Sequence, residues 1–382
     1  MEKLIVRNFG PISEVELELN KYMVFIGDMS TGKSVLGKLV TIFREPLYEF
    51  SLSIDGEGKL KRSVNYELKK CLTDLNIDFD YQNSYFQYSN ENFEVIVEDK
   101  KVKFISKSKL SKYSMFEDRI ELESILKRQI RVLKDGMPSI KFQVNNQANY
   151  IPAERMLLSM VGDSISGLWA NNVNLPKCFK NFAADYEKAK NKKNDSDFSD
   201  FGFTYKFENK KDFIVIGNKK INLNVASSGV QSLVPMLVVL EQMLANTKTI
   251  TVLVEEPELN LFPIRQKLLV EKLIKDVKAS KHNLIITTHS PYVLSVLDSL
   301  LLANNTFEEK TTERKKIDHV ISESKWLSYD ELSIYEVQGN GTVRAIKDDE
   351  FRSIDSNTID KASNIISSEF DKLTSIRYGE EL

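Results

Sequence analysis

Cysteine is nearly absent: Cys71 and Cys178 are the two in 382 residues, far apart and in no CxxC pair. That excludes a disulfide framework and a cysteine-rich zinc module, and it suits a reducing compartment. Long apolar runs are missing too. VPMLVVLEQML is broken by Glu241 and YVLSVLDSLLLA by Asp298, well short of the ~18 residues that mark a membrane-spanning helix. The opening MEKLIVRNFG has a three-residue apolar run, too little for a signal peptide. Net charge is −2, so no surplus of either sign announces a nucleic acid or a membrane. With 42% hydrophobic residues the chain can bury a large core. The expectation is a soluble cytoplasmic protein with no membrane partner.

What is present is organised by period. KLIVRNF, VELEL and YMVFIG read as three strands, with turns at Pro11 and at Asn20-Lys21. After Gly27 the period becomes helical, through Val35, Leu36, Leu39, Val40 and Phe43 to Pro46. A helix is expected near SVNYELKKCLTDL, a β-hairpin near YFQYSNENFEVIVEDKKVKFIS, and another helix in ELESILKRQIRVLKDG. NYIPAER reads as a short strand meeting a loop, and SMVGDSISGLWAN and LPKCFKNFAADYEKAKNKK as helical. KNKKNDSDFSDFG has no apolar period and reads as a mobile surface loop. Strands FTYKFEN and DFIVIGNKKINLNV precede a helix from about Ser228 to Ala245. TITVLVEE and NLIITTHS are continuous apolar runs, as buried parallel strands are. A strand pair turning at Asn340-Gly341 and a C-terminal helix, IDKASNIISSEFDKL, complete the chain.

Three segments carry chemistry. Gly27-Asp28-Met29-Ser30-Thr31-Gly32-Lys33-Ser34 fits G-x-x-x-x-G-K-[ST], between a strand and a helix where the motif has its meaning. Its backbone N–H groups would face a phosphate, Lys33 would reach the β- and γ-phosphates of ATP, and the Ser34 hydroxyl would ligate Mg2+. Glu255 and Glu256 end a buried strand, at the edge where parallel α/β sheets bind ligands. Glu255 is assigned to the metal and Glu256 to the base that deprotonates the attacking water. His289, one of three histidines, ends the next apolar strand, where a neutral imidazole can bond the γ-phosphate and that water. Taken alone, a strand-end acid or histidine is usually structural; the order of the three gives them weight.

In that order, the motifs resemble the ATP-binding heads of ABC-type ATPases of the RecF, SMC and OLD-like branch. The resemblance implies an α/β, ABC-type P-loop ATPase fold with a mixed central sheet, an N-terminal antiparallel β-subdomain and helical insertions. It implies one domain over residues 1–382, with a hairpin-and-helix insertion at 47–147, a helical insertion at 157–215 and a C-terminal extension at 300–382. Ala226-Ser227-Ser228-Gly229-Val230-Gln231-Ser232 stands where the family has its signature, which contacts ATP held by the opposite subunit; Ser227, Ser228 and Gly229 carry that role over. Read without the family, Ser-Ser-Gly is a good helix N-cap. Glu258-Leu259-Asn260-Leu261 resembles the D-loop, with Asn260 the residue carried over. The chain departs from the family in having Glu255 for aspartate, Ser228 for glycine, and Tyr150–Arg155 where the Q-loop glutamine would be, with Glu154 or Arg155 left to substitute.

The resemblance further implies an ATP- and Mg2+-dependent switch, a homodimer or higher homo-oligomer joined by sandwiched ATP. It also implies a separate protein effector, a nuclease or toxin, as in ATPase subunits of bacterial antiphage systems of the Septu and PARIS kind. A non-hydrolysing ATP-bound scaffold is one alternative. An OLD-type nuclease is the other, although Asp348-Asp349-Glu350 lacks the D-x-D spacing it needs. Two lysine clusters raise DNA or RNA contact: Lys100, Lys101, Lys103, Lys107, Lys109 and Lys112 with Tyr113 and Phe116, and Lys188, Lys190, Lys192 and Lys193. Nearby acids dilute both, and such runs are more often solvated faces.

Overall fold

The computed structural model describes residues 2–45, 48–54, 60–107, 128, 139–144, 149–161, 171, 173–355 and 367–373. In chain order, β1 (Lys3–Phe9), β2 (Ile12–Glu18) and β3 (Tyr22–Gly27) lead into α1 (Lys33–Arg44). Next come β4 (Tyr48–Ile54), β5 (Leu60–Tyr66), α2 (Leu68–Asp74), β6 (Tyr85–Ser89), β7 (Phe93–Glu98), β8 (Lys101–Ser106) and β9 (Ser139–Val144). β10 (Asn149–Ile151), α3 (Met156–Val161) and α4 (Lys177–Lys192) precede β11 (Asp195–Phe198), β12 (Phe203–Glu208), β13 (Lys211–Ile216) and β14 (Lys219–Asn222). Then follow α5 (Ser228–Leu244), β15 (Thr251–Glu255), α6 (Pro263–Lys278), β16 (Asn283–Thr288), α7 (Pro291–Glu309) and α8 (Arg314–Val320). β17 (Leu332–Val337), β18 (Val343–Ala345), β19 (Lys347–Asp348) and β20 (Ser353–Ile354) close the series.

The central sheet has the order β10-β15-β16-β3-β17-β18. Its first five strands are parallel and β18 is antiparallel. Both faces are covered, which is why these strands are apolar throughout rather than alternating. Val24, Val252, Val254, Ile286 and Ile334 face one core with residues of α5, α6 and α7. Met23, Phe25, Leu253, Ile285 and Tyr335 face a second core with α1 and the N-terminal sheet. In that second core α1 buries Leu36, Leu39, Val40 and Phe43, each worth about 1.5–3 kcal/mol of transfer free energy.

An antiparallel sheet of order β2-β1-β6-β7-β8 makes the N-terminal lobe. Strands β6 to β8, from the segment read as a hairpin, join β1 and so complete this lobe. Two expectations are corrected. Residues 63–66, read as the start of the helix near SVNYELKKCLTDL, belong to β5 (Leu60–Tyr66) in a full antiparallel ladder with β4, and the helix is confined to Leu68–Asp74. The segment read as a mobile loop contains β11, which pairs with β12 and turns Ser196 and Phe198 inward while Asp195 and Asp197 face out. All but residue 128 of the helix expected at 121–136, most of that expected at 159–171 and the first part of the C-terminal helix lie outside the described residues; residue 128 and 367–373 are helical. Among the described residues, no helix is long and apolar enough to cross a membrane.

Candidate nucleotide-binding site

Parallel pairing brings Gly27, Glu255 and Thr288 to one edge of the central sheet. Between β3 and α1 the loop turns back on itself, with Ser30 at φ 61° and Gly32, the N-cap of α1, at φ 103°. A side chain at Gly32 would also meet Ile12 Cδ1 at 2.8 Å, so glycine is required by both conformation and space. Asp28, Met29 and Ser30 are exposed. The Lys33 ammonium is buried and donates to the carbonyls of Gly27 (3.0 Å) and Asp28 (2.6 Å). Burial pulls its pKa below the usual lysine value, while Glu256, Asp28 and Glu258 work in the other direction.

Glu255 ends β15 and is buried. Its Oε2 accepts from the Tyr150 hydroxyl at 2.8 Å, and Lys38 Nζ stands 3.8 Å from Oε1. Burial, then the charge of Glu255, raises the Tyr150 pKa well above normal, so the phenol stays a donor. Oε1 is buried without a hydrogen-bond partner, an acceptor free for a cation or its water. Among the described residues no group of three His, Cys, Asp or Glu side chains could hold a metal alone. Mg2+ fits such a site, because it binds through one or two protein oxygens and completes its shell with phosphate and water.

Glu256 turns the chain with φ 43°, a left-handed conformation uncommon outside glycine. Its amide donates to Thr287 O at 2.9 Å, and its Oε1 lies 3.5 Å from His289 Nε2. His289 Nδ1 lies 3.5 Å from Lys33 Nζ. Glu258 fixes the histidine from behind, accepting from Thr288 Oγ1 (2.6 Å) and from the His289 amide (3.0 Å). Thus Lys33, His289 and Glu256, three of the residues singled out from the sequence, stand in a row.

Ser227 and Ser228 are exposed at the start of α5. Ser227 is the N-cap by position, yet its side chain makes no capping bond. Asn260 is exposed with φ 62° and touches Met156 Sδ at 3.8 Å. These residues do not join the Lys33–His289–Glu256 row.

Sequence reasoning missed Tyr150 as the partner of Glu255, although it had placed Tyr150 in the segment standing for the Q-loop. It also left Arg155 as a stand-in for the missing glutamine. Arg155 is instead fully buried and bonded to five backbone carbonyls. Of the basic clusters, Lys190 is buried between Tyr186 and Phe207 and paired with Glu187 and Asp212. Lys100 pairs with Asp80, Lys188 with Asp185 and Lys193 with Glu241. Lys109, Lys112, Tyr113 and Phe116 lie outside the described residues.

Among solved structures the chain is similar to an SMC head bound to the C-winged helix domain of ScpA, at 12% identity over 91% of this chain and 98% of that one, TM-score 0.43. It is similar to the SMC head domain from Thermotoga maritima, at 11% identity over 90% and 97%, TM-score 0.41. A third is the SMC head with an extended coiled coil bound to the C-terminal domain of ScpA, derived from Pyrococcus furiosus, at 13% identity over 96% and 99%, TM-score 0.39. These likenesses are loose. No curated protein matches the sequence. The model of the AAA ATPase domain family matches residues 59–294, a span that begins after the Gly27–Ser34 loop and contains Ser227–Gly229, Glu255, Glu256 and His289. The mixed central sheet, the antiparallel N-terminal lobe and the intervening helices make up an α/β architecture. With more than half its length matched, the chain belongs to the AAA ATPase domain family.

Proposed function

We propose that the chain is an ATP-hydrolysing switch that dimerises through two sandwiched nucleotides and works on a separate protein effector. The observation that carries this reading is a division of labour. Lys33, His289 and Glu256 converge within 3.5 Å steps at the sheet edge, while Ser227 and Ser228 are exposed on a different element. One protomer thus offers a phosphate cradle and a base, and presents its signature helix outward.

In this reading the amides of residues 28–34 and the N-terminus of α1 hold the β- and γ-phosphates. Lys33 exchanges its two backbone carbonyls for phosphate oxygens. Glu256 accepts a proton from the attacking water, and His289 bonds the γ-phosphate and orients that water. Ser34 and Glu255 would hold Mg2+, which, when bound, neutralises charge on the phosphates. The partner's signature closes the site, its helix N-terminus adding positive potential. Exposed large apolar side chains adjoin each of these motifs: Met29 in the P-loop, Val225 before the signature, Phe262 and Ile264 after the D-loop, and Tyr292 after His289. Exposure of that kind suits a surface that a second protomer covers.

The domain limits follow the same reading: one ATPase unit over 1–382 carrying insertions at 47–147 and 157–215 and an extension at 300–382. An effector such as a nuclease or toxin, and a cytoplasmic antiphage or genome-maintenance role, extend the family resemblance rather than the site's chemistry. The test is Lys33→Ala. Charge-assisted hydrogen bonds are worth about 1.5–3 kcal/mol each, so equilibrium ATP binding should weaken by about 100-fold. Undiminished affinity removes the P-loop assignment.

A further inference from the structure

Pro235 lies inside α5 and has no N–H, so the carbonyl four residues back, Gln231 O, lacks its helical donor. Ser159 Oγ donates to it at 2.6 Å. Arg155 Nε donates to the next carbonyl, Ser232 O, at 3.2 Å. The rest of the guanidinium reaches the other way. Nη1 donates to Pro152 O (3.0 Å) and Glu255 O (2.8 Å), and Nη2 to Glu256 O (2.7 Å) and Pro257 O (3.2 Å). Arg155 is 0% exposed, and all five acceptors are peptide carbonyls. Such bonding is costly to leave unmade and offers no donor to a nucleotide. A second contact runs in parallel: a Cβ on Gly229 would stand 2.8 Å from Asn260 O, so the signature turn lies against the D-loop backbone of its own chain.

We infer that Arg155 is a positioning residue that makes one mechanical unit of the signature helix and the Glu255–Pro257 corner. It holds the left-handed backbone of Glu256 that aims its carboxylate at His289. A displacement of α5, as when the signature meets a second protomer, is thereby passed to the base of the same chain. Only a planar fork with donors on two sides reaches both groups of carbonyls; a lysine ammonium on the same stem satisfies one group.

The catalytic half of this inference rests on the ATPase reading, and the mechanical half does not. Native-state hydrogen exchange on the nucleotide-free chain tests the mechanical half. Amides at 231–234 and 255–259 should open together, with the same dependence on denaturant. Independent opening of the two segments overturns the inference, whatever the activity of the chain. Arg155→Lys tests the catalytic half beside the native chain. The expected result is kcat lowered about 100-fold, the scale set by a small misplacement of a catalytic group, with the KM for ATP changed less than about threefold. An unchanged kcat in folded Arg155→Lys, or a loss expressed in KM alone, overturns the catalytic role. If the variant does not fold, the exchange pattern of the native chain decides. If the native chain neither binds nor hydrolyses ATP, the ATPase reading fails while the exchange result stands.

Discussion

His289 and Glu256 face each other across 3.5 Å, from Nε2 to Oε1, and the far nitrogen of the same ring lies 3.5 Å from the Lys33 ammonium. A neutral imidazole satisfies both neighbours: Nδ1 accepts from Lys33 and the Nε2 hydrogen points at the carboxylate. The chain of contacts joins the residue that would hold phosphate to the residue that would take a proton. Glu258, bonded to Thr288 Oγ1 and the His289 amide, keeps that chain in line.

Tyr150→Phe tests the buried support of Glu255. The change removes the 2.8 Å hydrogen bond to Oε2 and leaves a buried acceptor unmet, so the expected loss is about 1–3 kcal/mol of stability. Denaturant midpoints at constant slope measure it. In the proposed metal site the freed carboxylate is also less well oriented, so more Mg2+ should be needed for half-maximal ATP binding. Unchanged stability would mean that the hydroxyl is not spent on Glu255.

Glu45 predicts a pH dependence unrelated to catalysis. Burial raises its pKa to about 8 from an ordinary 4.5, against bonds from Thr251 and Asn149 and the charge of Arg44. Between those values the folded chain keeps a proton that the unfolded chain has lost. Stability is therefore complete below about pH 4.5, falls as pH rises through the window, and levels off above the folded pKa. The slope from this group is at most about 1.4 kcal/mol per pH unit. Melting curves from pH 5 to 8 should flatten in Glu45→Gln; parallel curves for the two proteins would refute the assignment.

Ser228→Arg separates the two faces of the site. Ser228 is exposed at the start of α5, an element that carries none of Lys33, His289 and Glu256. A bulky cation there should leave ATP binding to the isolated chain within about twofold and abolish ATP-induced association. Loss of ATP affinity in the monomer would place the signature in its own pocket.

Much of the core was legible because its determinants are local. The P-loop needs a glycine with positive φ at 32, on a strand-to-helix turn, and both appear in eight consecutive residues. Strands β15 and β16 were legible because burial on both faces leaves an unbroken apolar run. What was not legible depends on distance along the chain. Arg155 finds Glu255 O a hundred residues away, and Tyr150 finds the Glu255 carboxylate 105 away; neither side chain's own surroundings in sequence name those partners. Strand β11 was hidden because its inward residues include a serine, Ser196, bonded to Glu241 Oε2, so polarity alternated where hydrophobicity was sought. The burial of Lys190 is not legible locally because Asp212 and Phe207, which close over it, come from β13 and β12, although Glu187 and Tyr186 lie on its own helix.

The most direct measurement is sedimentation of Glu256→Gln with ATP and Mg2+, alongside its rate of phosphate release. A general base contributes about 10²–10⁴ in rate, so turnover should fall by at least about 100-fold while phosphate binding is kept. The expected species is a stable dimer, double the mass seen without nucleotide, holding unhydrolysed ATP. A variant that binds ATP and stays a monomer, or that releases phosphate at the native rate, contradicts it.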